Sequence, residues 1–118
     1  MTEHIKLGKK GETIAVEYLI HNCYEILHRN FRSKFGEIDI ISKKAGTIYF
    51  IEVKTRSNLR KGVPYEAIDY RKRLKLHTVA TYFLMTNNYK NYKYTISAIS
   101  IIFKNEAIYQ LNFYPSIE

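Results

Sequence analysis

Apolar positions recur in two patterns along the chain, one with a helical period and one with a strand period. From residue 5 to about residue 22, Ala15, Tyr18, Leu19 and Asn22 fall on one stripe at three- and four-residue spacing, with Ile14 beside it. That spacing predicts a helix with one buried face. Thr2 is placed to cap its start. Gly8 and Gly11 weaken its first turns by roughly 1 kcal/mol each relative to alanine. Their presence implies a close neighbour that requires the side chains to be absent.

Strand patterns follow. Residues 24–32 predict a strand of mixed character, 37–42 a second, and 47–55 a third that is rich in β-branched and aromatic residues. Lys43-Lys44-Ala45-Gly46 is a turn signal, so the second and third strands form a hairpin. Lys61-Gly62-Val63-Pro64 reads as a loop. Residues 65–85 then predict one helix, or a short one followed by a long one. Leu76, Val79, Ala80 and Phe83 make its stripe, Leu84 widens it, and Asn87-Asn88 ends it. Residues 93–103 are apolar without alternation, as in a strand buried inside a sheet. Residues 107–113 predict a last strand. The order is helix, three strands, helix, two strands. A helix of that length between the third and fourth strands suits a crossover, which makes those strands parallel. The fold class is therefore α/β, a mixed sheet flanked by helices.

Composition narrows the field. The chain has 118 residues, 46% of them apolar, which is one domain spanning 1–118. A single cysteine, Cys23, excludes a disulfide framework, an iron–sulfur site and a cysteine-based zinc site. No apolar run approaches the ~18 residues of a membrane span, and the first eleven residues lack the apolar core of a signal peptide. These features point to a reduced, cytoplasmic protein with no membrane role. The net charge of +8 by itself favours a polyanionic partner or an anionic membrane surface.

The candidate chemistry lies in the hairpin. Gly36-Glu37-Ile38-Asp39-Ile40-Ile41 sets one carboxylate among apolar residues, and Ile51-Glu52-Val53-Lys54 follows thirteen positions later. Strand side chains alternate, so Glu52 and Lys54 share a face. A turn near Lys44-Ala45 gives opposed residues whose numbers sum to about 89–91. Either odd value places Asp39 on the face of Glu52, opposite it or one diagonal step away. Two carboxylates this close make a hard oxygen site for Mg²⁺ or Mn²⁺, with the Val53 backbone carbonyl as a further ligand. Such a metal polarises a phosphate and acidifies a water, and Lys54 is placed to orient that water or to neutralise charge developing on the phosphate. Spacing alone leaves a solvated cross-strand ion pair open, but charges inside apolar runs are uncommon on a solvated face.

Positive charge gathers beside this site. Lys54, Arg56, Arg60, Lys61, Arg71, Lys72, Arg73 and Lys75 are opposed only by Glu66 and Asp69. A polyanion across Asp39 and Glu52 meets these bases; the alternative is a solvated helix face. Tyr89-Lys90-Asn91-Tyr92-Lys93-Tyr94 suits either base stacking or a loop running into a strand. Cys23 has no histidine placed beside it and reads as a small core residue. His4, His21, His28 and His77 show no metal-ligand spacing.

The sequence resembles the YraN-type bacterial proteins of the restriction-endonuclease-like PD-(D/E)XK nuclease superfamily. The resemblance rests on Gly8-x-x-Gly11-Glu12-x-x-Ala15-x-x-Tyr18-Leu19, Asn30-Phe31-Arg32, Gly36-Glu37-Ile38-Asp39-Ile40-Ile41 and Glu52-Val53-Lys54-Thr55-Arg56. Pro64-x-Glu66-Ala67-Ile68 and Lys72-x-x-x-Leu76-x-x-x-Ala80 continue it. A more distant likeness is to archaeal Holliday-junction resolvases. The resemblance implies an αβββαβ core, Asp39 and Glu52 as metal-binding acids, Lys54 as the catalytic lysine, and Glu12 as a supporting acid. An ordinary first-turn acid is the other account of Glu12. Arg32 joins the nucleic-acid-facing bases. Two positions depart from the family: Cys23 stands where glycine is usual, so Asn22 is expected to take the left-handed cap, and Lys93-Tyr94-Thr95 stands where Arg-Phe-Asp is usual.

The expectation is a metal-dependent nuclease acting on structured DNA ahead of RNA, in a homodimer if two strands are cut. The rivals are a catalytically silent nucleic-acid-binding scaffold and a protein-interaction adaptor with a basic face.

Overall fold

The structure, a computed structural model, describes residues 3–57 and 69–117. The elements run in the expected order: α1 Glu3–His21, β1 Glu25–Ser33, β2 Gly36–Lys44, β3 Thr47–Arg56, α2 Tyr70–Thr86, β4 Lys93–Phe103 and β5 Tyr109–Tyr114. They build one mixed sheet with strand order β1-β2-β3-β4-β5. β3 and β4 pair in parallel and the other neighbours antiparallel. No helix among the described residues is long and apolar enough to cross a membrane.

Two helices cover the two faces. On one side Ala15 and Leu19 of α1 bury against Ile40, Ile51, Ile99 and Ile101. On the other, Leu76, Val79, Ala80, Phe83 and Leu84 of α2 bury against Ile38, Ile48, Phe50, Ile96 and Ala98. The stripe expected of α2 is the buried set. β4 occupies an interior position, and eight consecutive residues from Ile96 to Phe103 are buried, as their strongly apolar composition on both faces suits.

Local chemistry sets the boundaries. The β2–β3 loop is the two residues Ala45 and Gly46, both with positive φ (50° and 78°), which is the type I′ hairpin geometry. Helix α2 begins at Tyr70, later than expected, because the Asp69 carboxylate accepts the Lys72 N–H at 2.9 Å and caps it. β5 begins at Tyr109 rather than 107. The Asn105 side chain accepts the N–H groups of Ala107 and Ile108, both at 2.8 Å, and holds them in a turn. The expected Thr2 cap, the loop at 61–64 and any helix over 65–68 lie outside the described residues.

Two backbone expectations are corrected. Cys23, not Asn22, takes the left-handed conformation after α1 (φ 68°). The Tyr24 N–H reaches Leu19 O at 2.9 Å and the Cys23 N–H reaches Ile20 O at 3.0 Å, a Schellman pair whose middle residue is Cys23. Asn22 instead donates its amide to Tyr18 O at 2.8 Å. Cys23 is exposed rather than a core residue. The two helical glycines also differ. A Cβ on Gly11 would overlap the Thr55 hydroxyl, so α1 lies directly on the end of β3 there, whereas a Cβ on Gly8 would meet nothing.

Candidate active site

The register of the hairpin brings the acids together. Ile40 pairs with Ile51 and Ile41 with Phe50, so opposed residues sum to 91, one of the two odd values expected, and that register continued by one step sets Asp39 across from Glu52. The ladder stops at Ile40–Ile51. Beyond it the Val53 N–H donates to Asp39 Oδ2 at 2.8 Å, so a side chain takes the place of a backbone partner. β2 also changes pleat at this point. Ile40 faces α1 and Ile38 faces α2, although residues two apart in a regular strand share a face. Asn30, which the β1–β2 register sets opposite Asp39, has φ of 53°. The strand is irregular on the one residue whose carboxylate must turn into the site.

Glu52 is 7% exposed and is held by two lysines. Lys72 Nζ lies 2.9 Å and Lys54 Nζ 3.6 Å from the same atom, Glu52 Oε2. Lys54 comes from β3 itself, and Lys72 reaches across from the first turn of α2. Burial, and next the charge of Glu52, push the Asp39 carboxyl up to about 7, with Glu12 adding to the rise and the Val53 N–H and Lys54 opposing it. Lys54 is held below the usual lysine range, chiefly by burial and then by the adjacent Lys72. Lys72 moves the other way: burial works against its charge, but its hydrogen bond to Glu52 and the charge of Glu52 more than offset that.

These groups line a cleft of about 460 Å³ at the end of β3. Glu12 enters it from α1, Glu37 and Asp39 from β2, Lys72 and Lys75 from α2, and Gly8 leaves its wall open. Arg56 also faces the cleft. Its Nη1 donates to Thr55 O at 3.0 Å, while its Nε is buried with no hydrogen-bond partner among the described residues.

The predicted bases do not all converge. Lys54, Arg56, Lys72 and Lys75 line the cleft, and Arg71 joins Lys72 and Lys75 on its flank. Arg73 turns away, its Nη1 3.3 Å from Ile117 O. Arg32 pairs with Glu37 at 3.5 Å, both largely exposed. Arg60 and Lys61 lie outside the described residues. Residues 89–92 form a turn before β4, with Lys43 over the Tyr89 and Tyr92 rings. His77 Nδ1 meets Tyr94 OH at 2.9 Å. Sequence reasoning placed Lys72 with the polyanion-facing bases and missed its contact with Glu52. The available signal was its position in the first turn of a helix, where the macrodipole disfavours a cation.

The donor set fits a hard divalent cation. Asp39 and Glu52 present carboxylate oxygens, and an ammonium already stands against Glu52 where positive charge is wanted. Among the described residues, no three His, Cys, Asp or Glu side chains are gathered tightly enough to form a ready-made metal cluster. A cation here would rely on the acid pair, with Glu12 farther off.

Comparisons with known proteins place the chain. Residues 11–104 match the profile of the Uncharacterised protein family UPF0102. A UPF0102 protein of Caldicellulosiruptor saccharolyticus is 48% identical over 105 residues, 87% of this chain and 89% of the relative. Another from Persephonella marina is 44% identical over 98 residues, 83% of this chain and 84% of the relative. A third from Clostridioides difficile is 46% identical over 84 residues, 71% and 74% of the two chains. The family match covers Glu12, Asp39, Glu52 and Lys54 alike, and the chain belongs to the UPF0102 family.

Proposed function

We propose that the protein is a metal-dependent nuclease of the restriction-endonuclease-like PD-(D/E)XK type, which binds nucleic acid and hydrolyses phosphodiester bonds. The observation that carries this reading is the convergence of Asp39, Glu52 and Lys54 in a cleft whose rim is basic. Nothing in folding requires it. Asp39 is buried beside a second acid, and burial first and that acid's charge next drive its pKa up; behind its Asp69 cap, α2 opens with Arg71, Lys72 and Arg73, cations that the helix dipole disfavours at this end. Unfavourable placements gathered at one cleft are characteristic of sites rather than of folds.

Asp39, Glu52 and the Val53 carbonyl would hold Mg²⁺ or Mn²⁺, with Glu12 in support. The cation would supply Lewis-acid polarisation of the phosphate and an acidified water. Lys54, with its lowered pKa, holds or accepts a proton beside the water's approach. Arg56 and Lys75, which line the cleft, hold phosphate oxygens. Structured DNA is the expected substrate, since no element among the described residues is shaped to enter a groove and read base edges. An exposed free thiol at Cys23 suits a reducing, cytoplasmic setting.

One observation favours the catalytically silent scaffold. Lys72 Nζ already occupies the Glu52 oxygen at 2.9 Å, and a lysine that stays there keeps a metal out. The two readings separate on labelled single-stranded, duplex, flap and four-way-junction DNA incubated with Mg²⁺, Mn²⁺ or EDTA. Metal-dependent cutting that Asp39→Asn and Lys54→Ala both lose supports the nuclease. Binding without cutting, unchanged in both variants, leaves the scaffold.

A further inference from the structure

The β1–β2 turn carries an aromatic side chain that the catalytic account does not use. Ser33 Oγ accepts the Phe35 N–H at 3.1 Å and donates to Gly36 O at 3.1 Å. Gly36 has φ of 137°, and a Cβ there would meet Val79 of α2 at 3.2 Å. The turn is thus pinned to the helix, and Phe35 is presented on it 39% exposed. Its ring meets Tyr82 edge-on at 5.4 Å between centroids, and Lys34 Nζ lies over it at 5.2 Å.

Phe35 borders two spaces at once. It lines the catalytic cleft, and it lines an open apolar groove of about 660 Å³ along the outer face of α2 with Leu74, Tyr82 and Met85. Leu74 and Met85 are also exposed, at 49% and 67%. An open, mostly apolar groove next to a charged cleft marks a candidate interaction surface.

We propose that Phe35 and Tyr82 form a stacking ledge for an unpaired nucleobase, so that the preferred strand carries an unstacked base beside the phosphate held in the cleft. The inference rests on the nucleic-acid reading above and extends it to a class of substrate. Charge selects the occupant. Lys34 lies over the Phe35 ring, and Lys72 and Lys75 line the cleft that Phe35 also borders; a nucleic-acid strand sets its phosphates on such bases while its bases take the rings. A second copy of a chain with net charge +8 brings like-charged rims together. The rings Phe35 and Tyr82 offer a face to stack on, and the Thr78 hydroxyl beside them is committed to Leu74 O at 3.1 Å. The ledge therefore accepts any base that is free of its partner.

The test uses DNA carrying the fluorescent base 2-aminopurine, either in an unpaired position or inside continuous duplex, mixed with the full chain in EDTA so that cutting plays no part. The unpaired probe changes emission on binding and the duplex probe does not. Phe35→Ala abolishes that change and weakens binding of the unpaired probe about tenfold, while leaving duplex affinity as it was. Phe35→Trp restores both signals, which a merely structural role would not. Equal affinity and equal emission change in wild type and Phe35→Ala overturn the ledge and leave the nuclease reading intact. Failure of the wild type to bind either probe at low salt overturns the nucleic-acid reading, and the ledge with it. A chain that sediments as a dimer only while Phe35 is present, with the probe signal unaffected by the substitution, overturns the ledge in favour of a second copy.

Discussion

The two halves of β3 behave as different materials. From Thr47 to Ile51 the strand is paired on both sides, to β2 and to β4, and Ile48, Phe50 and Ile51 are at most 1% exposed. From Glu52 to Arg56 only β4 remains alongside. On one face of this half stand two cations and an acid, Lys54, Arg56 and Glu52, lining the cleft, while Val53 and Thr55 meet the α1 side. The backbone is one continuous strand throughout. The contrast begins where β2 leaves the ladder and the Asp39 carboxylate takes up the Val53 N–H. The chain builds a rigid apolar half first and uses it to hold a charged half in place, which is how a small sheet can position opposing charges it would not otherwise tolerate.

That contrast predicts opposite signs for neighbouring substitutions. The largest effect is in the apolar half. Phe50→Ala removes a ring in contact with Phe83 and Tyr94 and destabilises the fold by about 3–5 kcal/mol in urea unfolding. A loss below about 1 kcal/mol would break the comparison. In the charged half, Asp39→Asn has the other sign. The folded-state pKa of Asp39 lies above its ordinary value of 3.8, at about 7. The folded state therefore binds this proton more tightly than the unfolded state, and the contribution of Asp39 to stability falls as pH rises from about 4 to about 7 and is level above that. A tenfold difference in proton affinity between the two states is worth about 1.4 kcal/mol. Asparagine cannot ionise and still accepts the Val53 N–H, so the variant gains up to about 4 kcal/mol at pH 8 and nothing at pH 4. Parallel unfolding curves at the two pH values check this.

Smaller effects sharpen the boundary between the halves. Gly11→Ala pushes a methyl group into Thr55 and costs roughly 1–3 kcal/mol. Thr55→Ala restores most of that in the double variant, and a double-mutant cycle measures the coupling. The same change at Gly8, which faces open space, removes a helical glycine without a clash and stabilises. The smallest effect lies away from β3. Cys23→Gly relieves a left-handed non-glycine residue and gains about 1 kcal/mol without altering cleavage, as thermal unfolding and a cutting assay on one preparation would show.

What the sequence revealed followed from periodicity. The strongly apolar stretch of residues 93–103, interrupted mainly by small hydroxyl residues, had one natural home, inside a sheet, and its bounds match β4. The hairpin register came from a single turn signal and strand alternation, enough to set Asp39 beside Glu52. Alternation gave no warning that β2 changes pleat at Asp39, because the irregularity depends on how Asn30 and Asp39 meet across two strands. The Lys72–Glu52 contact spans twenty positions and is created by the packing of α2 on the sheet, so no local spacing could announce it. The left-handed residue fell on Cys23 rather than Asn22 because helix-end geometry counts residues from the last hydrogen bond and overrides the local preference of asparagine.

One paired measurement tests the account most directly: the unfolding free energy and the Mg²⁺-dependent cutting rate of wild type and Asp39→Asn, at pH 8, on the same preparations and the same labelled DNA. The account predicts that the variant is the more stable protein and the one that no longer cuts. A variant that cuts as the wild type does, or that loses stability, would contradict it.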